Sequence, residues 1–396
     1  MAQNGQCRNP KIVILYASYG EGHLQAARAI RDSLEKNGAA QTMMIDLMAE
    51  SHPWLNEMTK RFYLKSYSRL PLLYGWMYEA TRPMKHNSLF GGLLHSLGRD
   101  TIRRLLAKEK PDAVIHTFPL FALPTMQKRN GKRKRLVNDL PSYAVVTDFD
   151  LHRRWVHPNI DRYYVATEDM KQELGRLGIR ANRVEASGIP LKSGFHGIAP
   201  SPELYRKFGL QPNKPIILIM AGAHGVMPDI KKLCRRLLEQ DGDVQVVLVC
   251  GRNAELVYSV EAYLASHPQA SRLKLFGYVE QIYELMAVAT VLVTKPGGIT
   301  LSEAIAAGLP MFIHRPVPGQ ERQNAFYLQS KGAAFISSKP EQLLAGLLEL
   351  LANPEQLRKC REAVGRLQRS DASADYIARD ILTRLEAADT GLFSTL

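Results

Sequence analysis

The sequence predicts an α/β protein of two Rossmann-like, doubly wound parallel sheets facing one another across a cleft, and three observations carry that expectation. An apolar strand at Lys11–Ala17 runs through a small-residue turn into an amphipathic helix. The same grammar restarts at Pro215–Ala221, the second opening strand. Between the two, Gly188-Ile189-Pro190 and the stretch Ala199-Pro200-Ser201-Pro202 read as a linker, which puts the domain boundary near residue 200. At 396 residues, with 45% hydrophobic and 23% charged content, the chain can bury two cores of ordinary size.

Taken in order, the first strand is followed by a helix whose buried stripe is marked by Ala26, Ala27, Ile30 and Leu34. Strand-like runs at 41–47, 113–117, 142–147 and 162–166 alternate with helical stretches, as a parallel sheet requires. In the second half Val244–Cys250 and Thr290–Thr294 are the further strands, each leading into turn residues and a helical pattern. In such sheets ligands bind beyond the carboxyl ends of the strands, so the loops there are where chemistry is expected.

Composition narrows the class. No apolar run approaches the roughly 18 to 20 residues of a spanning helix, and Ile12–Ala17 lacks the flanks of a signal peptide, so a cytoplasmic protein is expected. Cys7, Cys234, Cys250 and Cys360 show no metal-binding or CxxC spacing and are read as reduced. The net charge of +14 is uneven: residues 1–200 hold 30 Lys/Arg against 18 Asp/Glu, and residues 201–396 hold 22 against 20. That excess suits an anionic partner.

Residues 51–110 concentrate it, with 11 basic and 4 acidic residues. Trp54, Trp76 and Tyr78 stand there among Lys60, Arg61, Lys65, Arg69 and Arg82. Rings settle at the headgroup level of a bilayer and basic groups bind anionic lipid, so a contact with the inner face of the cell membrane is expected. Stacking of single-stranded bases is the competing reading, and part of the segment must be core. Lys128–Arg135 adds a second basic patch.

Gly20-Glu21-Gly22-His23 opens the first helix, where glycines admit backbone donors to a phosphate or sugar. A dinucleotide site, with Asp46 on the ribose, fits poorly because Gln25 stands where a third glycine belongs. His23 at a helix N-terminus should stay neutral against the dipole and accept a proton as a general base. In the second half, Gly297, Gly298 and Thr300 offer donors to a diphosphate, and Glu303, one turn further, suits ribose hydroxyls. Gln320, Glu321 and Asn324 form a hydrogen-bonding cluster suited to a sugar. Gly222, in the loop Ala221-Gly222-Ala223-His224-Gly225, could close on the diphosphate from the other side. Asp148-Phe149-Asp150 spells a metal-binding DxD, but it lies far in sequence from the diphosphate loops, and no catalytic metal is expected.

Seven motifs in family order, "SYGEGHLQAA" at 18–27, "VVTDFDLHRRWVHP" at 145–158, "SGIP" at 187–190, "CGRN" at 250–253, "FGYV" at 276–279, "KPGGITLSEA" at 295–304 and "PVPGQERQNA" at 316–325, closely resemble the diacylglycerol glycosyltransferases of bacteria and plants. These are the monogalactosyldiacylglycerol synthases and processive diacylglycerol glucosyltransferases of glycosyltransferase family 28. The resemblance implies a GT-B fold and an inverting, metal-independent transfer of glucose or galactose from a UDP-sugar to diacylglycerol, in one or several steps. It makes His23 the base, Glu303 the ribose acid, and Gln320 and Glu321 the sugar pair. Arg252, Asn253, Phe276, Tyr278 and Val279 then belong to the nucleotide pocket, and Asp148, His152 and Trp155 to an acceptor-side motif. It also divides the chain into residues 1–199, 200–372 and a last helix within 373–396 that returns to the first domain. A lipid-linked N-acetylglucosamine transferase of cell-wall synthesis and a UDP-sugar epimerase remain the alternatives.

Overall fold

A computed structural model describes residues 9–18, 21–38, 41–54, 57–58, 71–84, 99–119, 127–129, 132–134, 140–240 and 243–389. The chain divides into two compact units: residues 193–370 form the second, and the flanking segments form the first. The joints fall at Lys192/Ser193 and Ser370/Asp371 rather than at 199/200 and 372/373. Residues just after the first joint pack inside the second unit: the buried Phe195 ring meets Tyr283 edge-on at 5.7 Å.

The first unit begins with β1 (Lys11–Tyr16), α1 (Glu21–Lys36), β2 (Gln41–Asp46) and α2 (Leu47–Ser51). Then come α3 (Pro71–Thr81), α4 (Arg99–Glu109), β3 (Ala113–His116), a short antiparallel hairpin of β4 (Gln127–Arg129) and β5 (Lys132–Lys134), β6 (Ser142–Val145), β7 (Arg162–Tyr164), α5 (Glu168–Arg176) and β8 (Val184–Glu185). Six of these strands make one parallel sheet in the order β2-β1-β3-β6-β7-β8.

β1 reads as a continuous apolar run because both of its faces are covered. Ile12 and Ile14 join Ala27, Ile30 and Leu34 of α1 on one side, and Val13 and Leu15 join Leu47, Ile102 and Leu106 on the other. The strand's two-residue period sends alternate side chains to opposite layers.

The second unit runs α6 (Pro202–Phe208), β9 (Ile216–Met220), α7 (Ile230–Glu239), β10 (Gln245–Val249), α8 (Ala254–Leu264), β11 (Leu273–Phe276) and α9 (Ile282–Val288). It continues with β12 (Val291–Thr294), α10 (Gly298–Ala306), β13 (Met311–His314), α11 (Gln320–Ser330), β14 (Ala334–Ser337), α12 (Pro340–Ala352) and α13 (Pro354–Gly365). Its parallel sheet has the order β11-β10-β9-β12-β13-β14. The final helix, α14 (Ser373–Asp389), belongs to the first unit, where Ile377, Ile381 and Leu385 complete the core beside α1.

Each strand order reverses at one place, between β1 and β3 in the first sheet and between β9 and β12 in the second. The diverging loops leave a crevice at such switch points, where ligands bind in open α/β sheets.

Candidate active site

At the first switch point, His23 lies in the first turn of α1, half-buried, one residue after Gly22. Its Nδ1 is 2.7 Å from the carbonyl oxygen of Thr117, just past β3, and 2.9 Å from Oγ1 of Thr147. A carbonyl only accepts, so Nδ1 carries the hydrogen and Nε2 keeps its lone pair. Thr117 is fully buried, and its hydroxyl donates to the His23 carbonyl at 3.1 Å. The Phe118 ring meets the imidazole edge-on at 5.0 Å. Burial lowers the His23 pKa to about 4, against the opposing bond to Thr117. The ring is therefore neutral at neutral pH, held in one tautomer, with a basic nitrogen available. The expectation from the helix dipole reaches the same state, although burial is the larger cause. Of the two residues that orient the ring, Thr147 lies in the motif at 145–158 without an assigned role, and Thr117 carries no sequence signal of its own.

Asp46 is occupied elsewhere. It accepts bonds from the Ser18 amide at 3.2 Å and hydroxyl and caps α2 through the Ala49 amide at 3.1 Å. That local use leaves it tying the loop after β1 to β2, as a structural residue.

The acceptor-side motif is a packed corner. Asp148 is buried. Asp150 accepts from Tyr78 Oη at 2.9 Å and from Arg82 at 2.6 Å. Tyr78 and Arg82, placed by sequence among the membrane-facing residues, are thus turned inward to brace this loop. His152 accepts the Arg154 amide at Nδ1 (3.2 Å), leaving Nε2–H directed at Thr81 Oγ1 at 3.4 Å. Burial, reinforced by Arg154 and Arg82, lowers the His152 pKa to about 3. Trp155, 3% exposed, packs with Val146, Ile160, Tyr163 and Met170. It shapes the motif from the core.

On its opposite side α3 presents an apolar stripe to solvent. Leu73, Trp76 and Met77 are 42, 69 and 41% exposed, and Trp54 is 76% exposed. Lys60, Arg61, Lys65 and Arg69 lie outside the described residues. Among the described residues no helix is long and apolar enough to cross a membrane.

In the second unit the loops after β9, β10, β11 and β12 press together. Gly225 has φ +61°, and a Cβ there would lie 2.2 Å from the Cys250 carbonyl oxygen and 2.3 Å from Asn253 Cβ. Only glycine suits that approach. Asn253 is consumed in building it: its Oδ1 caps α8 at the Leu256 amide (2.9 Å), and its Nδ2 donates to the Gly225 carbonyl at 3.0 Å. Arg252 stacks over the exposed Tyr278 ring, 4.6 Å from its centroid. Phe276 meets Phe208 edge-on at 5.8 Å, and Val279, three residues after Phe276, is half-buried.

Lys295, at the second switch point, opens the motif at 295–304, though sequence reasoning assigned it no role of its own. Its Cε lies 3.4 Å from where a Gly222 Cβ would be, so the glycine, at φ +79°, makes room for the lysine chain. Burial depresses the Lys295 pKa, and Glu321 opposes that effect. Gly297 caps α10, with Gly298 buried and Thr300 and Glu303 half-buried in the turns that follow. Glu321 accepts the Val317 amide at 3.4 Å and Gln320 begins α11, half-buried. Asn324 is buried and donates to the Pro296 carbonyl at 3.2 Å. That bond joins α11 to the glycine turn. A half-buried lysine, a helix N-terminus and two glycine loops thus converge at one strand end, an arrangement suited to a diphosphate.

Residues 23–191 match the family model described as monogalactosyldiacylglycerol (MGDG) synthase, and residues 203–366 match that of glycosyl transferases group 1. The chain is 40% identical over 374 residues to the processive diacylglycerol beta-glucosyltransferase of Bacillus pumilus, covering 94% of this chain and 95% of that one. Among solved structures, MurG of Acinetobacter baumannii superposes with a TM-score of 0.60 at 15% identity, covering 94% of this chain and 99% of MurG. CalG4, the calicheamicin glycosyltransferase, gives 0.60 at 14% identity, covering 96 and 99%. These two likenesses bear on the fold, which is GT-B.

Proposed function

Because the chain belongs to the family of the processive diacylglycerol beta-glucosyltransferases, we propose that it transfers glucose from UDP-glucose to the hydroxyl of diacylglycerol with inversion at the anomeric carbon. The observation that carries the reading is His23, neutral, tautomer-locked by Thr117 and placed at a switch point. Nε2 takes the hydroxyl proton as the acceptor oxygen bonds to the anomeric carbon. The bond from that carbon to the diphosphate breaks, and its electron pair leaves with UDP. Burial makes the imidazole a weak base, so proton transfer runs together with C–O bond formation, when the hydroxyl has become acidic.

Charge on the leaving diphosphate is met by the N-terminus of α10 at Gly297 and Gly298 and by Lys295. Glu303 would bind the ribose, Gln320 and Glu321 the sugar, and Arg252 with Tyr278 the nucleotide. No cation is assigned to Asp150, whose oxygens are bonded to Tyr78 and Arg82.

The acceptor is a membrane lipid, and Leu73, Trp76 and Met77 with Trp54 are the proposed contact with an anionic membrane surface. The basic strands β4 and β5 would add charge attraction of about 1 kcal/mol per residue near such a surface. We place the protein on the inner face of the cell membrane as a peripheral protein.

His23→Ala tests the reading. Transfer to diacylglycerol should fall at least a hundredfold while UDP affinity stays within about twofold. Turnover at the wild-type rate would remove His23 as the base.

A further inference from the structure

Among the described residues only three non-glycine positions have left-handed backbone: Lys110, Asp229 (φ +58°) and Arg315 (φ +48°). Two of them are bonded to each other. Arg315 Nη1 donates to Asp229 Oδ2 at 2.8 Å, and His314 Nε2 lies 3.4 Å from the same oxygen. His314 is buried at the end of β13, with Nδ1 3.1 Å from Ser337 Oγ. The Arg315 amide donates to the Ser337 carbonyl at 2.8 Å, so β14 fixes the point from which the next loop departs. Asp229 stands at the N-cap of α7, where an aspartate ordinarily accepts the helix's own amides, yet its side chain makes no capping bond. The carboxylate is turned to the neighbouring loop, and Arg315 holds its pKa below the usual range.

The location gives this arrangement its meaning. Asp229 closes the glycine loop that follows β9, and Arg315 opens the loop Pro316–Gly319 that leads into Gln320 and Glu321. In strand order β9, β12 and β13 are neighbours, so the ion pair ties together the two loops flanking the turn that carries Lys295. Backbone strain persists where surroundings over-determine it, and such residues gather at ligand clamps.

We propose that Asp229, acting through Arg315 and His314, is a positioning residue that sets the sugar-holding loop, and with it Gln320 and Glu321, against the donor. The inference rests on the reading of this unit as the UDP-sugar site. Asp229 does not touch the reacting atoms; it fixes where the neighbouring loop starts. The consequence falls mainly on the sugar, because Arg315 opens the loop that leads into Gln320 and Glu321, whereas Arg252, Lys295, Gly297 and Glu303, groups assigned to UDP, stand on the loops and helix after β10 and β12.

The experiment compares wild type, Asp229→Ala, Asp229→Asn, Arg315→Ala, Arg315→Gly and the Asp229→Ala/Arg315→Ala double variant in the full chain. Calorimetric affinities for UDP and for UDP-glucose are measured beside thermal midpoints. Asp229→Ala and Arg315→Ala should each weaken UDP-glucose binding roughly fivefold to tenfold, with the double variant no worse than either single one. UDP affinity should change less than about twofold, and Asp229→Asn should retain part of the sugar-dependent affinity. Arg315→Gly matters most: glycine adopts the left-handed backbone without strain, so its midpoint should hold or rise while UDP-glucose binding still weakens. Equal losses for both ligands, losses that follow the midpoints, or no loss would each overturn the clamp. A wild-type protein that binds neither ligand would instead overturn the donor-site reading, and the clamp with it.

Discussion

Gly225→Ala perturbs the donor-side loops at their tightest point. The new Cβ would approach the Cys250 carbonyl oxygen to 2.2 Å and Asn253 Cβ to 2.3 Å. Both neighbours belong to the turn that Asn253 fastens to Gly225 and to α8, so neither moves alone. The left-handed backbone costs alanine about 1 kcal/mol, and forced displacement of packed atoms costs about 1–3 more. A total of roughly 2–4 kcal/mol in a unit of this size lowers its thermal midpoint by roughly 5–15 °C. The control is Gly297→Ala, where φ is −70° and a Cβ would meet nothing within 4 Å. Its midpoint should stay within about 2 °C of wild type. Scanning calorimetry on the full chain, with UDP titrations below the transition, reads both effects. A Gly225→Ala protein that melts with wild type and binds UDP equally would refute the close-packed loop.

Three further outcomes follow from the first unit. His23 and His152 have folded-state pKa values of about 4 and about 3, below the unfolded value of 6.5. As pH falls, the unfolded state takes up protons first, so stability is full above about pH 6.5 and declines toward pH 4 and then 3, by on the order of 3 kcal/mol for His23 alone. Urea midpoints at pH 7, 5.5 and 4.5 should fall in that order, and a flat profile would contradict the buried neutral rings. Asp150→Ala removes the acceptor of the Tyr78 hydroxyl and leaves the part-exposed Arg82 with Glu79 at 4.0 Å, costing about 1–3 kcal/mol by denaturant titration, and wild-type activity should not depend on added divalent ion. A cation requirement that shifts in the variant would make Asp150 a ligand after all. Trp76→Glu, at an exposed position, should leave the midpoint unchanged and reduce partition onto anionic vesicles about tenfold in a flotation assay; unchanged partition would move the membrane contact elsewhere.

The sheet strands were legible because parallel strands buried on both faces write continuous apolar runs, as at Ile12–Leu15 and Ile216–Met220. β8, β11, β13 and β14 were passed over, although Met311–His314 is as short, as apolar and as buried as Ala113–His116, which was read as a strand. The switch-point loops were legible as loops because glycines mark close backbone approach, as Gly222 and Gly225 do. What the sequence could not say is which polar side chains the fold itself consumes. Asn253 and Asn324 look like ligand donors, yet each bonds a backbone carbonyl 28 positions away. Tyr78 and Arg82 read as surface residues until the fold brings Asp150 to them across 72 and 68 positions. Lys295 lies within the motif at 295–304 but had no assigned role, because its partial burial is not written in the sequence.

The central claim is transfer of glucose to diacylglycerol. The most direct test incubates the purified full chain with radiolabelled UDP-glucose or UDP-galactose on diacylglycerol-containing anionic vesicles, with EDTA present, and resolves the lipids. The account predicts a labelled glycolipid from UDP-glucose, formed in EDTA and absent with His23→Ala. No labelled lipid from either donor, with or without divalent ion, would contradict it.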